Sequence, residues 1–91
     1  INYTASNIGE ISPADFVKIF PNPSEGIVNI HFAQDGKKVI NIYDNLGRLI
    51  YQNSTEQLEN QIYLQELPSG VYQVQIIQSN AQITKPLIIA K

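Results

Sequence analysis

The sequence has no cysteine, methionine or tryptophan and a single histidine. Without cysteine there is neither a disulfide framework nor a thiolate metal site, so burial and hydrogen bonding must hold the chain together. His31 has no second His or Cys to join it in a ligand set. Charge is also scarce. Six Lys/Arg against 8 Asp/Glu in 91 residues give a net charge of −2, which lacks the basic footprint of a nucleic-acid binder or an anionic-membrane binder. No apolar run approaches the roughly 18–20 residues needed to span a bilayer. The 5 glycines are isolated, so no phosphate-cradling loop is present. Ser24, Ser69 and Ser79 have no base at a recognisable spacing. Neither an enzyme nor a cofactor is expected.

What the chain does have is β-forming residues: 15 Ile, 5 Val and 3 Thr. Nine Asn and 9 Gln outnumber the 14 charged residues, which suits turns and a neutral solvated sheet face. Residues 1–15 are polar and small with no sustained period, and read as a linker or tether. Residues 16–91 read as one domain. With no Met and no leader pattern, the chain is expected to be the last piece of a longer protein.

Candidate strands begin near Phe16, Ile27, Lys38, Arg48, Gln61, Val71 and Gln82, 10–13 residues apart. Short strands at such regular spacing point to an all-β sandwich or barrel. Residues 71–76 alternate Tyr72, Val74 and Ile76 with Gln73 and Gln75, the pattern of a half-buried antiparallel strand. Val28, Ile30 and Phe32 alternate with Asn29 and His31 likewise, and Ile83, Leu87 and Ile89 share one face of the last run. Val39, Tyr43, Leu46 and Ile50 fit a helical stripe, but Asn45 and Gly47 would sit mid-helix, so a hairpin with Gly47 at positive φ is favoured.

The turns are stiff. Pro21-Asn22-Pro23-Ser24-Glu25-Gly26 carries two prolines and ends on a glycine free to take positive φ. Leu67-Pro68-Ser69-Gly70 is expected to form a β-turn, and Asp35-Gly36 a tight one. Asp44 and Asp35 could offer oxygen ligands to calcium, but each turn has one carboxylate, and Asx stabilisation of the turn is the better account. Tyr43, Tyr51, Tyr63 and Tyr72 could form a sugar-binding platform, so a carbohydrate-binding or adhesive sandwich is the alternative reading; cross-strand packing is the plainer one. Lys85 and Lys91 bracket an apolar terminal run, which reads either as a protected edge strand or as a strand that a partner adds to.

Phe20-Pro21-Asn22-Pro23-Ser24-Glu25-Gly26, then Ile42-Tyr43-Asp44-Asn45-Leu46-Gly47-Arg48-Leu49-Ile50, then Leu67-Pro68-Ser69-Gly70-Val71-Tyr72 and a Lys-containing end occur in order. In this the chain resembles the C-terminal sorting domain (type A) of the type IX secretion system over about residues 16–91. The resemblance implies an immunoglobulin-like antiparallel β-sandwich of about seven strands, covalently continuous with an N-terminal cargo. It implies passage through the periplasm, recognition by the outer-membrane translocon, delivery to the cell surface or medium, and removal by a sortase-like cysteine protease. Its motif positions fall on Pro21, Asn22, Pro23, Gly26, Asp44, Gly47, Arg48, Gly70, Tyr72 and Lys85, with Lys91 as a further candidate contact. Family members often carry adjacent lysines before the last strand, and here the second place is Pro86. Residues 83–91 are expected to be an accessible strand, and cleavage to fall in the tether, with residues 4–9 as candidates and a site upstream of Ile1 as the alternative.

Overall fold

A computed structural model describes residues 16–79 and 81–91. The expected tether, residues 1–15, lies outside the described residues. Seven strands follow in order: β1 (Val17–Phe20), β2 (Ile27–Phe32), β3 (Lys38–Tyr43), β4 (Leu49–Thr55), β5 (Glu59–Tyr63), β6 (Gly70–Gln78) and β7 (Ala81–Ile89). They form two antiparallel sheets, one of three strands in the order β1-β2-β5 and one of four in the order β4-β3-β6-β7. This is an immunoglobulin-like sandwich.

Period-two alternation builds the core. Val28, Ile30 and Phe32 of β2 and Ile62 of β5 face Ile40 and Ile42 of β3, Tyr72, Val74 and Ile76 of β6, and Leu87 and Ile89 of β7. Burying each such side chain fully is worth roughly 1.5–3 kcal/mol against leaving it in water. The same alternation puts Lys38 on the inner face, where it is fully buried with Nζ 4.7 Å from the centre of the Phe32 ring.

The abundant amides fall on the outer faces. Asn41 stands beside Gln52 on one side and Gln75 on the other. Gln52 Nε2 donates to Asn41 Oδ1 at 2.8 Å, and Asn41 Nδ2 donates to Gln75 Oε1 at 3.0 Å. On the other sheet Gln61 Nε2 donates to the facing Asn29 Oδ1 at 3.4 Å. Amide donates to amide across the strands, so these faces are stitched without charge.

The hairpin expected around residues 44–48 is present, with β3 and β4 antiparallel and Gly47 at φ 82°. The β-turn expected at residues 67–70 lies earlier. Leu67 N donates to Leu64 O at 3.1 Å, closing the turn at 64–67. Gly70 opens β6 opposite Ile89, outside the positive-φ region, and a Cβ there would meet only the Tyr72 ring at 3.8 Å. It therefore needs none of glycine's freedom.

Candidate functional site at the distal end of the sandwich

The registers bring the motif turns together. Phe20 pairs with Asn29 and Ile27 with Tyr63, so the loop 21–26 and the segment after β5 share one end of the three-stranded sheet. Tyr43 pairs with Leu49 and Gln73, and Gly70 with Ile89, so the turn 44–48, the loop 64–69 and the chain end share one end of the other sheet. A parallel bridge between Ser24 and Ile89 joins the two. This end is called distal below. The opposite end, where Phe16 enters and loops 33–37 and 56–58 turn, is the tether end.

Loop 21–26 is a clamp on β7. Its bonds Phe20–Pro21 and Asn22–Pro23 are both cis. Ser24 N donates to Ile88 O at 2.8 Å and Ala90 N to Ser24 O at 2.8 Å. Asn22 completes the seam: Nδ2 donates to Pro86 O at 3.0 Å, and Oδ1 accepts from Ile88 N at 2.9 Å. The terminal strand is thus an edge strand of its sheet, but its outer backbone groups from Pro86 to Ala90 are already paired. The expectation of an accessible strand over 83–91 is corrected accordingly. Pro86 sits where an edge tolerates a residue without N–H.

The sequence singles out Ser24 only as a serine without a base, yet it is buried and organises the corner: Gly26 N donates to Ser24 Oγ at 3.0 Å and Oγ donates to Ile27 O at 2.8 Å. A serine two residues before a glycine in a proline corner is the legible signal of such a turn. Gly26 is buried at φ 131°, and its carbonyl accepts from Leu64 N at 2.6 Å.

In the second turn Asp44 is the organiser. Its Oδ1 accepts from Leu46 N at 2.9 Å and Arg48 N at 3.0 Å, while Oδ2 accepts from Arg48 Nε at 2.8 Å. The Arg48 backbone N–H, then that of Leu46 and the guanidinium, hold the Asp44 carboxyl below its ordinary pKa, against a smaller desolvation effect. These are the bonds of a stabilised Asx turn, and they occupy the carboxylate that a cation would need. Arg48 remains largely exposed at the rim, its side chain 72 % accessible.

The third turn is set by Tyr72, which is buried and donates its hydroxyl to Pro68 O at 2.6 Å. A tyrosine near the start of a strand bonding back to the corner before it is a recurrent device of immunoglobulin-like sandwiches. Turns 44–48 and 67–72 meet across a shallow cleft of ≈ 240 Å³ lined by Asp44, Asn45, Arg48, Pro68, Gly70 and Tyr72. Lys91 closes the end, its N donating to Ser69 Oγ at 3.1 Å and its Nζ to Gln65 O.

Ten of the eleven sequence-selected residues therefore converge: Pro21, Asn22, Pro23, Gly26, Asp44, Gly47, Arg48, Gly70, Tyr72 and Lys91 all lie at the distal end. Lys85 does not. It lies midway along β7 opposite Val74, half-buried, and its Nζ reaches Val17 O at 2.9 Å, tying the free side of β7 to β1. Gly26 and Tyr72 are buried, so they shape the end rather than present themselves on it.

The tyrosines do not form a platform. Tyr72 is in the core, while Tyr43 and Tyr63 lie on the outer faces of different sheets. His31 is a surface residue, 43 % exposed, with Nδ1 4.0 Å from Glu59 Oε2. Among the described residues no helix is long and apolar enough to cross a membrane.

A sequence profile described as "Secretion system C-terminal sorting domain" matches residues 18–90. No curated protein matches the sequence. Among solved structures the chain is similar to PorZ of Porphyromonas gingivalis, an essential bacterial surface component of the type-IX secretion system. The TM-score is 0.69 at 28 % identity, covering 91 % of this chain and 12 % of PorZ. Fold, ordered motifs and profile agree: the chain belongs to the family of C-terminal sorting domains of the type IX secretion system, which mark proteins for the cell surface or for release.

Proposed function

We propose that the translocon recognises the folded domain by its distal end, as a shape assembled from three turns and the chain terminus. The observation that carries this reading is the seam between Asn22, Ser24 and residues 86–90, which completes the end only when the last strand is in place. Most of the polar groups of the motifs are engaged in turn and seam bonds, which fix the shape of this end. The domain acts as an address and performs no reaction of its own. Its cargo lies upstream, covalently continuous with Phe16, and travels through the periplasm before export. A sortase-like cysteine protease cuts in the segment before the domain, where residues 4–9 are the candidates; these lie outside the described residues.

The test is to fuse residues 12–91 behind a periplasmic reporter in a host that has the system. The reporter is expected outside the cell. A reporter that stays periplasmic behind a folded domain overturns the reading. In the same fusion, Arg48→Ala combined with Asn22→Ala is expected to lower export several-fold, and Lys37→Ala at the tether end to leave it unchanged. Equal export from both would remove the distal end from recognition.

A further inference from the structure

Of the motif positions, Lys85 alone lies away from the distal end, and its contact is with the entry of the chain. It is half-buried on β7, in phase with Ile83, Leu87 and Ile89. Its Nζ crosses from the four-stranded sheet to the three-stranded one and donates to Val17 O at 2.9 Å. Val17 is fully buried and opens β1. The ammonium is thus held at a carbonyl only two residues after Asp15.

Phe16 fixes how the chain arrives there. Its O accepts from Ala33 N at 3.0 Å, and its ring meets the Phe32 ring edge-on with centroids 6.3 Å apart. Its backbone is helical, so the chain turns at this point instead of extending β1 backwards. The residues before it, Ser12-Pro13-Ala14-Asp15, carry the signature of a helix start. A serine cap is followed by proline at the first helical position and by a carboxylate three residues after the serine. With Phe16 pinned, the Asp15 Cα is one peptide step of about 3.8 Å away, which brings its carboxylate within reach of the ammonium on Val17 O.

The charges on the two sides match. Residues 1–15 include Glu10 and Asp15 but no Lys or Arg, whereas residues 81–91 include Lys85 and Lys91 but no Asp or Glu. An ammonium donates three hydrogen bonds and can hold a carbonyl and a carboxylate at once.

We propose that residues 12–15 are the first turn of the folded domain, anchored on β7 by an ion pair between Asp15 and Lys85. Two straps from the same chain then hold β7: loop 21–26 along residues 86–90 and the entry turn at Lys85. The free tether ends at Ile11, and residues 4–9 stay outside the anchored turn, as extended chain that a protease can take. Lys85 is a positioning residue for that boundary.

Digestion of the 91-residue chain with a broad-specificity protease, read by mass spectrometry, tests this. The resistant fragment is expected to begin at or before Ser12. Asp15→Asn and Lys85→Met are each expected to speed cutting between residues 12 and 16 about tenfold, the change in open population for one lost charge-assisted hydrogen bond. Cutting elsewhere in the domain is expected to stay as slow as in wild type, with circular dichroism showing an intact β fold. The double variant is expected to be cut no faster than Lys85→Met alone, and Asp15→Glu to keep the resistance. If Lys85→Met does not fold, Asp15→Asn against Asp15→Glu still reads the pair. A wild-type fragment that begins at Phe16 or later, an Asp15→Asn variant as resistant as wild type, or additive effects of the two substitutions would each overturn the proposal.

Discussion

At the distal end the loops bond to one another. The Gly26 carbonyl takes the Leu64 N–H, Ser24 and Asn22 pair with the end of β7, and Lys91 reaches both Ser69 and Gln65. At the tether end, among the described residues, fewer bonds join separate segments: Phe32 N to Leu58 O at 2.7 Å, Ala33 N to Phe16 O at 3.0 Å, and Gln78 Nε2 to Asp35 O at 2.7 Å, while Gln57 N to Thr55 Oγ1 and Asn60 Nδ2 to Gln57 O stay within the loop after β4. Among the described residues the two buried side-chain atoms without a hydrogen-bond partner are Lys38 Nζ and Gln78 Oε1, from the β3 and β6 ends at the tether side. Apart from Lys85, the motif positions fall at the end where polar groups are matched. The end proposed above for recognition is thus the one whose loops are tied to one another.

The strongest way to break the contrast is at Gly26. Its φ of 131° is a region L side chains rarely adopt, and a Cβ would lie 2.9 Å from Gln65 Cα, a backbone atom that cannot step aside. Gly26→Ala is expected to cost on the order of 3 kcal/mol of folding stability. Gly47 shares the positive φ, at 82°, but a Cβ there meets nothing within 4 Å. Gly47→Ala is therefore expected to cost about 1 kcal/mol, the conformational penalty alone. Chemical denaturation of both variants checks the ranking; equal costs would mean that the contact with loop 64–69 contributes nothing.

At the tether end a substitution is expected to stabilise. Lys38 takes a charge out of water and gives it the Phe32 ring, 4.7 Å away, but no hydrogen-bond acceptor. A cation over an aromatic face recovers about 2 kcal/mol when desolvated, less than the several kcal/mol of removing an ammonium from water. Lys38→Met keeps the length of the side chain and removes the charge, and is expected to raise stability by about 1–2 kcal/mol. A loss of stability would show that the ammonium has a partner in the protein that offsets its burial.

Much of this was legible in the sequence because a strand repeats every two residues. The alternations in 28–32 and 71–76 placed their strands, and turn chemistry placed the hairpin at 44–48. Strand ends were less legible. β5 begins at Glu59, two residues before the pattern shows, because Asn60 is held by Thr55 Oγ1 at 2.7 Å rather than by an apolar face. Lys38 was visible in principle, since it is in phase with Ile40 and Ile42, but its charge argues for solvent until the Phe32 ring is seen above it. The clamp on β7 was not legible. It depends on two segments more than sixty residues apart in sequence, and no local pattern announces which edge a proline corner will cover. Lys85 stands among the motif positions by resemblance alone, and its reach across to Val17 places it on the side of the sandwich.

The smallest expected effect concerns how the second turn depends on ionisation. Backbone N–H groups of Arg48 and Leu46, with the Arg48 guanidinium, lower the Asp44 pKa in the folded chain. A carboxyl with a lowered folded-state pKa adds stability that is fully present above its unfolded value and is lost as pH falls through the folded one. Asp44→Asn keeps an oxygen for the N–H groups but carries no charge. Wild type is thus expected to exceed it modestly at neutral pH, with the gap closing as acid protonates Asp44. Denaturation midpoints of the two proteins measured down through the carboxylate range read this difference. A gap that persists in acid would mean that shape alone, and not the charge, sets this turn, which would make the distal end less sensitive to pH than its hydrogen bonds imply.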